Sequence, residues 1–230
     1  MNPPEYLTDL VNAFERNANP ANAVQMKKYM KDLFDFYGIS SPKRKELFKT
    51  QWNDHGYKLK DETVKVIKWC WQAPQREYQY FGMELLNKNV LRANIDDIHL
   101  YEHIILHKSW WDTVDFIAAK LVGAFFNRHP EQVESYTTKW IQSGNIWLQR
   151  TCLLFQLKYK SKTNTQLLET LIAQLSGSKE FFIRKAIGWA LREYSKTDSK
   201  FVVQFTKRHH LSGLSEREAL KWMKHQSIID

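Results

Sequence analysis

Three stretches of this chain repeat one another at nearly equal spacing. QREYQYFGMELL (75–86), LQRTCLLFQLKY (148–159) and FIRKAIGWALRE (182–193) align on Arg76, Arg150 and Arg184. Thr113 fills the missing register, so successive positions lie 37, 37 and 34 residues apart. Two helices per period of roughly 40 residues is the signature of HEAT-like solenoids. In these, each helix pair buries one face against its neighbours and leaves another to line a concave surface. Spacing alone leaves a bundle of even helices open as an alternative.

Apolar periodicity supports the all-α class along the whole chain. It places helices over 5–17, 21–36, 42–54, 61–72, 75–89, 96–107, 110–127, 130–142, 146–160, 164–176, 179–195, 199–209 and 215–226. The breaks fall at Asn19-Pro20, Pro42, Pro74, Pro130, Ser143-Gly144, Ser176-Gly177 and Ser212-Gly213. Ser109 with Asp112, and Ser215 with Glu218, read as capping boxes at helix starts. No alternating strand or Asn-Gly hairpin turn occurs. No stretch reads as a linker, so residues 1–230 are expected to form a single repeat domain.

Lys and Arg number 34 against 25 Asp and Glu, a net charge of +9. That balance favours a polyanionic partner such as nucleic acid, though a soluble basic protein without one has the same composition. The two cysteines, Cys70 and Cys152, lie inside apolar helical stretches and read as reduced core residues, which points to the cytoplasm. No secretory signal is read at the start, and no apolar run reaches the ~18 residues of a membrane span.

Within the repeats, Arg150 and Lys158 are eight residues apart, as are Arg184 and Arg192, so each pair is expected to share a helix face. A basic row in successive repeats suits a phosphate backbone, and equally describes a solvated helix face. Trp111, Trp147, Phe181, Phe182 and Trp189 accompany the row. Helical aromatics usually belong to the core, but at a concave surface their faces can meet sugars or bases.

HLYEH (99–103) matches the inverted zinc-protease pattern, and His107 extends it by a turn. A third ligand and an open position are lacking, so the His99, His103 and His107 row is read as surface and no metal is expected. P-loop, GxGxxG, GxSxG and zinc-knuckle spacings are absent. One residue is not explained by helix capping. Asp115, in SWWDTVDFIAAKLVGAFF (109–126), lies a full turn inside its helix among Val114, Phe116 and Ile117. It is either a buried partner of Arg150 or a group with chemistry to do, and both can hold.

SWWDTVD (109–115), NIWLQRTCLLFQLKYK (145–160), KEFFIRKAIGWALREYSK (179–196) and MKKYMKDLFDFYGISSPKRK (26–45) resemble the AlkD family of bacterial DNA alkylation-repair glycosylases. The resemblance runs in order over almost the whole chain. It implies a HEAT-like solenoid that wraps duplex DNA on its concave, basic side; with the repeat register, a monomer without metal or cofactor is expected. It implies hydrolysis of the N-glycosidic bond of cationic alkylated purines, chiefly 3-methyladenine and 7-methylguanine. The family contacts the lesion's sugar and backbone without flipping the base into a pocket, unlike most enzymes of base chemistry. Relatives of the fold that bind DNA without excising bases supply the alternative.

The family's active-site pattern falls on Trp111, Asp115 and Trp189, and its DNA-contacting pattern on Tyr29, Arg150 and neighbouring basic residues such as Lys158 and Arg192. Phe181, Phe182 and Arg184 join them from the repeat register. Where some members carry a longer polar side chain after Gly38-Ile39, this chain has Ser40-Ser41, so a contact opposite the lesion through that loop is in question. The resemblance gives Asp115 a role. A cationic base departs neutral and needs no general acid, so a carboxylate near C1′ would stabilise the oxocarbenium-like sugar and position a water. Trp111, one turn earlier, and Trp189 would wall the sugar and favour its positive charge.

Overall fold

A computed structural model describes residues 2–55 and 62–229, and among these every named element is helical. The start of the helix expected at 61–72 lies outside them. The chain divides into two compact units, Met1–Asn89 and Val90–Asp230.

The first unit holds a short 3-10 turn, Glu5–Leu7, then α1 (Thr8–Arg16), α2 (Pro20–Tyr29), α3 (Ser41–His55), α4 (Thr63–Gln72) and α5 (Arg76–Asn89). Asn19 caps α2 by accepting from the Asn22 N–H at 3.1 Å, with Pro20 at the first helical position, where its missing N–H costs nothing. The helix expected over 21–36 stops at Tyr29. Lys31 and Asp32 turn into left-handed backbone, with φ of 58° and 59°, and the following segment runs extended. Its polar groups go to α5 instead: the Asp35 carbonyl accepts from the Arg76 N–H at 2.8 Å. The N–H groups of Tyr37, Gly38 and Ile39 donate to the buried Glu77 carboxylate at 3.1, 2.9 and 3.2 Å. Long-range pairing outweighs local helical preference here.

The second unit holds α6 (Asp97–Leu106), α7 (Trp111–Phe116), a π-helical turn (Ile117–Val122) and α8 (Gly123–Arg128), the last three continuous. It goes on through α9 (Val133–Gln142), α10 (Ile146–Leu154), α11 (Thr165–Leu175), α12 (Phe181–Ser195), α13 (Ser199–Arg208) and α14 (Gly213–His225). Side-chain caps at Asn145, Asn164, Asp198 and Ser212 start four of these helices. Their apolar faces meet in a core that includes Val114, Ile117, Leu121, Leu153, Ile183, Ile187 and Met223.

Three local expectations are corrected. The Ser109 hydroxyl caps no start; it donates back to the Ile105 carbonyl at 2.6 Å, and Trp110 is the N-cap of α7. Ser215 likewise lies inside α14. Ser212 is that helix's cap, while the Ser215 hydroxyl crosses to the Arg184 carbonyl at 3.0 Å. The helix expected over 146–160 ends at Leu154, because the residues beyond it have other partners. Gln156 accepts from the Asn164 N–H at 2.8 Å, and the Tyr159 hydroxyl donates to the Gly123 carbonyl at 2.7 Å. Lys158 therefore does not extend a helix face begun by Arg150.

Candidate active site

Three of the four positions in the repeat register point inward: Arg76, Thr113 and Arg150 are all buried. Arg150 shows what the inward register does. Its side chain is only 5% exposed, and that of Asp115 is 14% exposed. Arg150 Nε donates to Asp115 Oδ1 at 2.6 Å and Nη2 to Oδ2 at 2.9 Å, a two-point fork that fixes the carboxylate in rotation as well as position. Nη1 donates to the Phe182 carbonyl at 2.5 Å. One guanidinium thus ties α7 to the first turn of α12.

Aromatic rings surround this tie. Phe182 lies 5.0 Å, centroid to centroid, from both Trp110 and Trp147, and Trp110 lies 5.7 Å from Trp147. The Arg150 guanidinium is 5.8 Å from the Phe182 ring. Burial pushes the Asp115 carboxyl above the usual carboxylate range; Arg150 opposes that shift and Asp112 adds to it. Trp111 opens α7 one turn before Asp115, on the same side of the helix, and is partly exposed. Trp189, also partly exposed, stands seven residues after Phe182 on α12 and so shares its face. Gly188 beside it has a packing reason: a Cβ there would lie 2.6 Å from the Ser215 carbonyl oxygen, so only glycine lets α14 close on α12.

The other residues expected on DNA are spread more widely. Phe181 is 57% exposed and stands edge-on to Phe182. Arg184 Nε donates to the Ser178 carbonyl at 2.9 Å. Arg192 and Lys185 both hold Glu218, each at 2.7 Å, and these two cations lower the Glu218 carboxyl below its ordinary value. Lys158, 59% exposed, reaches Glu193 at 4.0 Å. Tyr29, 69% exposed, ends α2 in the other unit. The histidine row is taken up locally. Glu102 pairs with Lys139 at 2.8 Å, His99 meets the Tyr136 ring, and His103 lies 4.1 Å from His107, ring to ring. Among the described residues no group of three His, Cys, Asp or Glu is placed to hold a metal ion, and no helix is long and apolar enough to cross a membrane.

Sequence reasoning missed two contributors. Trp110 was hidden by its neighbour Trp111, and only its extended N-cap backbone turns it toward Trp147 and Phe182. Glu218 read as a capping residue, although it lies next to Arg217 and one α14 turn before Lys221, in a setting rich in cations.

The sequence profile of a family described as "DNA alkylation repair enzyme" matches residues 10–223. Among solved structures, a "Predicted DNA alkylation repair enzyme from Enterococcus faecalis" is similar at 35% identity and a TM-score of 0.84, over 90% of this chain and 97% of that one. No curated protein matches.

Proposed function

The chain belongs to the DNA alkylation repair enzyme family, and on that premise we propose that it is a DNA glycosylase. Its reaction is hydrolysis of the N-glycosidic bond of cationic alkylated purines, chiefly 3-methyladenine and 7-methylguanine, in duplex DNA. The observation that carries this reading is the Asp115 carboxylate, gripped at two points by Arg150 yet still partly exposed, in a setting of tryptophans and phenylalanine.

Alkylation leaves the purine ring positive, so the glycosidic electron pair returns to the ring and the base departs neutral without a proton donor. Positive charge then grows on C1′ and the ring oxygen of the sugar. Asp115, ionised, stabilises that charge and orients a water toward C1′; the water's proton leaves to the carboxylate or to solvent as the new C–O bond forms. Trp111 and Trp189 flank the sugar, each ring adding ~0.5–2 kcal/mol of attraction to the cationic centre.

Arg150 is assigned to Asp115 rather than to phosphate, because its guanidinium is buried and three of its N–H groups are already given away. Lys158, Arg184, Arg192 and Tyr29, with Phe181 and Phe182, are proposed to meet the duplex backbone and sugars. Incubating the protein with a duplex carrying a single 7-methylguanine tests the reading. Free 7-methylguanine and an abasic strand are expected. Repair that restores guanine without releasing a base, or no change in the duplex, would overturn it.

A further inference from the structure

Asp115 is followed at once by an irregularity. Ile117–Val122 is a π-helical turn, and the Gly123 N–H reaches five residues back to the Ala118 carbonyl. Such turns are rare and shift the register of everything on either side. This one ends against the tail of α10, the helix that carries Arg150. A Cβ on Gly123 would lie 2.5 Å from the Phe155 carbonyl oxygen, so the two backbones meet there only because residue 123 is glycine. The Tyr159 hydroxyl closes the contact, donating to the Gly123 carbonyl at 2.7 Å, while its ring stands edge-on to Phe155 at 5.9 Å.

The α7–α8 run is thus joined twice to α10 and the chain that leaves it: by the Arg150–Asp115 fork on α10, and, eight residues along α7–α8, by the Tyr159–Gly123 bond from the segment just past the end of α10. A two-point fork tolerates little relative sliding before one of its hydrogen bonds is lost. The second joint is where sliding would be stopped. We infer that Tyr159 is a positioning residue, whose hydroxyl fixes the register of the π-helical turn against α10 and thereby holds Asp115 square on Arg150. The role rests on the glycosylase reading for its effect on catalysis, but not for its effect on the carboxylate. The charged groups acting on Asp115 are Arg150 from α10 and Asp112 from its own helix; α12 contributes the Phe182 carbonyl that holds Arg150.

Tyr159→Phe removes one oxygen and keeps the ring, so the fold is preserved. Two readouts follow on one preparation: the Asp115 carboxyl titration by carbon NMR, assigned with Asp115→Asn, and single-turnover release of 7-methylguanine. With the joint loosened, the fork weakens and the Asp115 midpoint is expected to rise by ~0.5–1 pH unit. Excision is expected to slow about tenfold, as for a slightly misplaced group, with duplex affinity and melting temperature little changed. Gly123→Ala, which forces the backbones apart, is expected to move both readouts further the same way. An unchanged titration midpoint in Tyr159→Phe overturns the inference, whatever the excision rate. A shifted midpoint in a protein whose wild type releases no base upholds the joint and overturns the glycosylase reading instead.

Discussion

Glu77 and Asp115 are both carboxylates taken into the interior of a helical protein, and burial pushes both above the ordinary carboxylate range. They are satisfied in opposite ways. Glu77, fully buried, accepts three backbone N–H groups from Tyr37, Gly38 and Ile39. Those donors are neutral backbone groups distant in sequence, and they make Glu77 a strap for the extended segment before α3. Gly38, at φ +84°, gives that segment the bend it needs. Asp115 instead faces a single cation, bound through both oxygens, and keeps an exposed edge. A carboxylate enclosed by backbone donors has nothing left for a substrate. One held from a single side by a guanidinium is oriented and still open, which is what a developing sugar cation requires.

In stability, the largest effect is expected at Asp115's partner. Arg150→Met leaves a buried carboxylate with no counter-charge and should cost roughly 3–5 kcal/mol, read by chemical denaturation. Its Asp115 midpoint should climb well beyond that of the wild type. A loss below about 1 kcal/mol would mean that the fork contributes little. Glu77→Gln should cost less, about 1–3 kcal/mol, because the amide still accepts from some of the three N–H groups but not all. Its excision rate should match the wild type once melting temperature is controlled. A specific fall in rate would erase the distinction between the two carboxylates.

pH separates them further. Each group's folded pKa lies above its unfolded one, so between those values the native state holds more protons. The stability each contributes is fully present below the unfolded pKa and is lost as pH rises through the folded pKa. Excision needs Asp115 ionised and so should rise over the same interval, with its acid limb above the ordinary carboxylate range. From about pH 4 to 7 the single-turnover rate should therefore rise while the part of the stability that Asp115→Asn removes should fall. A rate that is flat across that interval would remove Asp115 from the chemistry. The smallest effect on the fold is expected at Lys158→Ala, whose melting temperature should not move. Its duplex affinity should drop, and the slope of log K against log salt should flatten by about one. An unchanged slope would take Lys158 off the duplex.

The helical class, most helix positions and the 37-residue register were legible because apolar periodicity and Asn, Pro and Gly punctuation are local signals. What was not legible depended on distant partners. The helix over 21–36 fails after Tyr29 because α5 claims Asp35 and Glu77 claims residues 37–39. The 146–160 helix fails after Leu154 because Asn164 and Gly123 draw off Gln156 and Tyr159. The same blindness affected the basic row. Lys158 falls past the end of the helix that carries Arg150, and a sequence cannot say whether an arginine in register faces water or a buried carboxylate; Arg150 takes the second course. The pairing of Asp115 with Arg150 was visible only as one of two readings, and Trp110 was not singled out.

The central claim is that Asp115, and not merely a buried carboxylate of this fold, drives base release. Single-turnover excision of 7-methylguanine by Asp115→Asn, with Glu77→Gln alongside and melting temperature and duplex binding measured on each, tests it most directly. The account expects Asp115→Asn to melt earlier, because Arg150 loses its counter-ion, to bind duplex as well as or better than the wild type, and to excise about 10²-fold more slowly or worse. Glu77→Gln should excise normally at temperatures where it is folded. A folded, DNA-bound Asp115→Asn that releases base at the wild-type rate would contradict it.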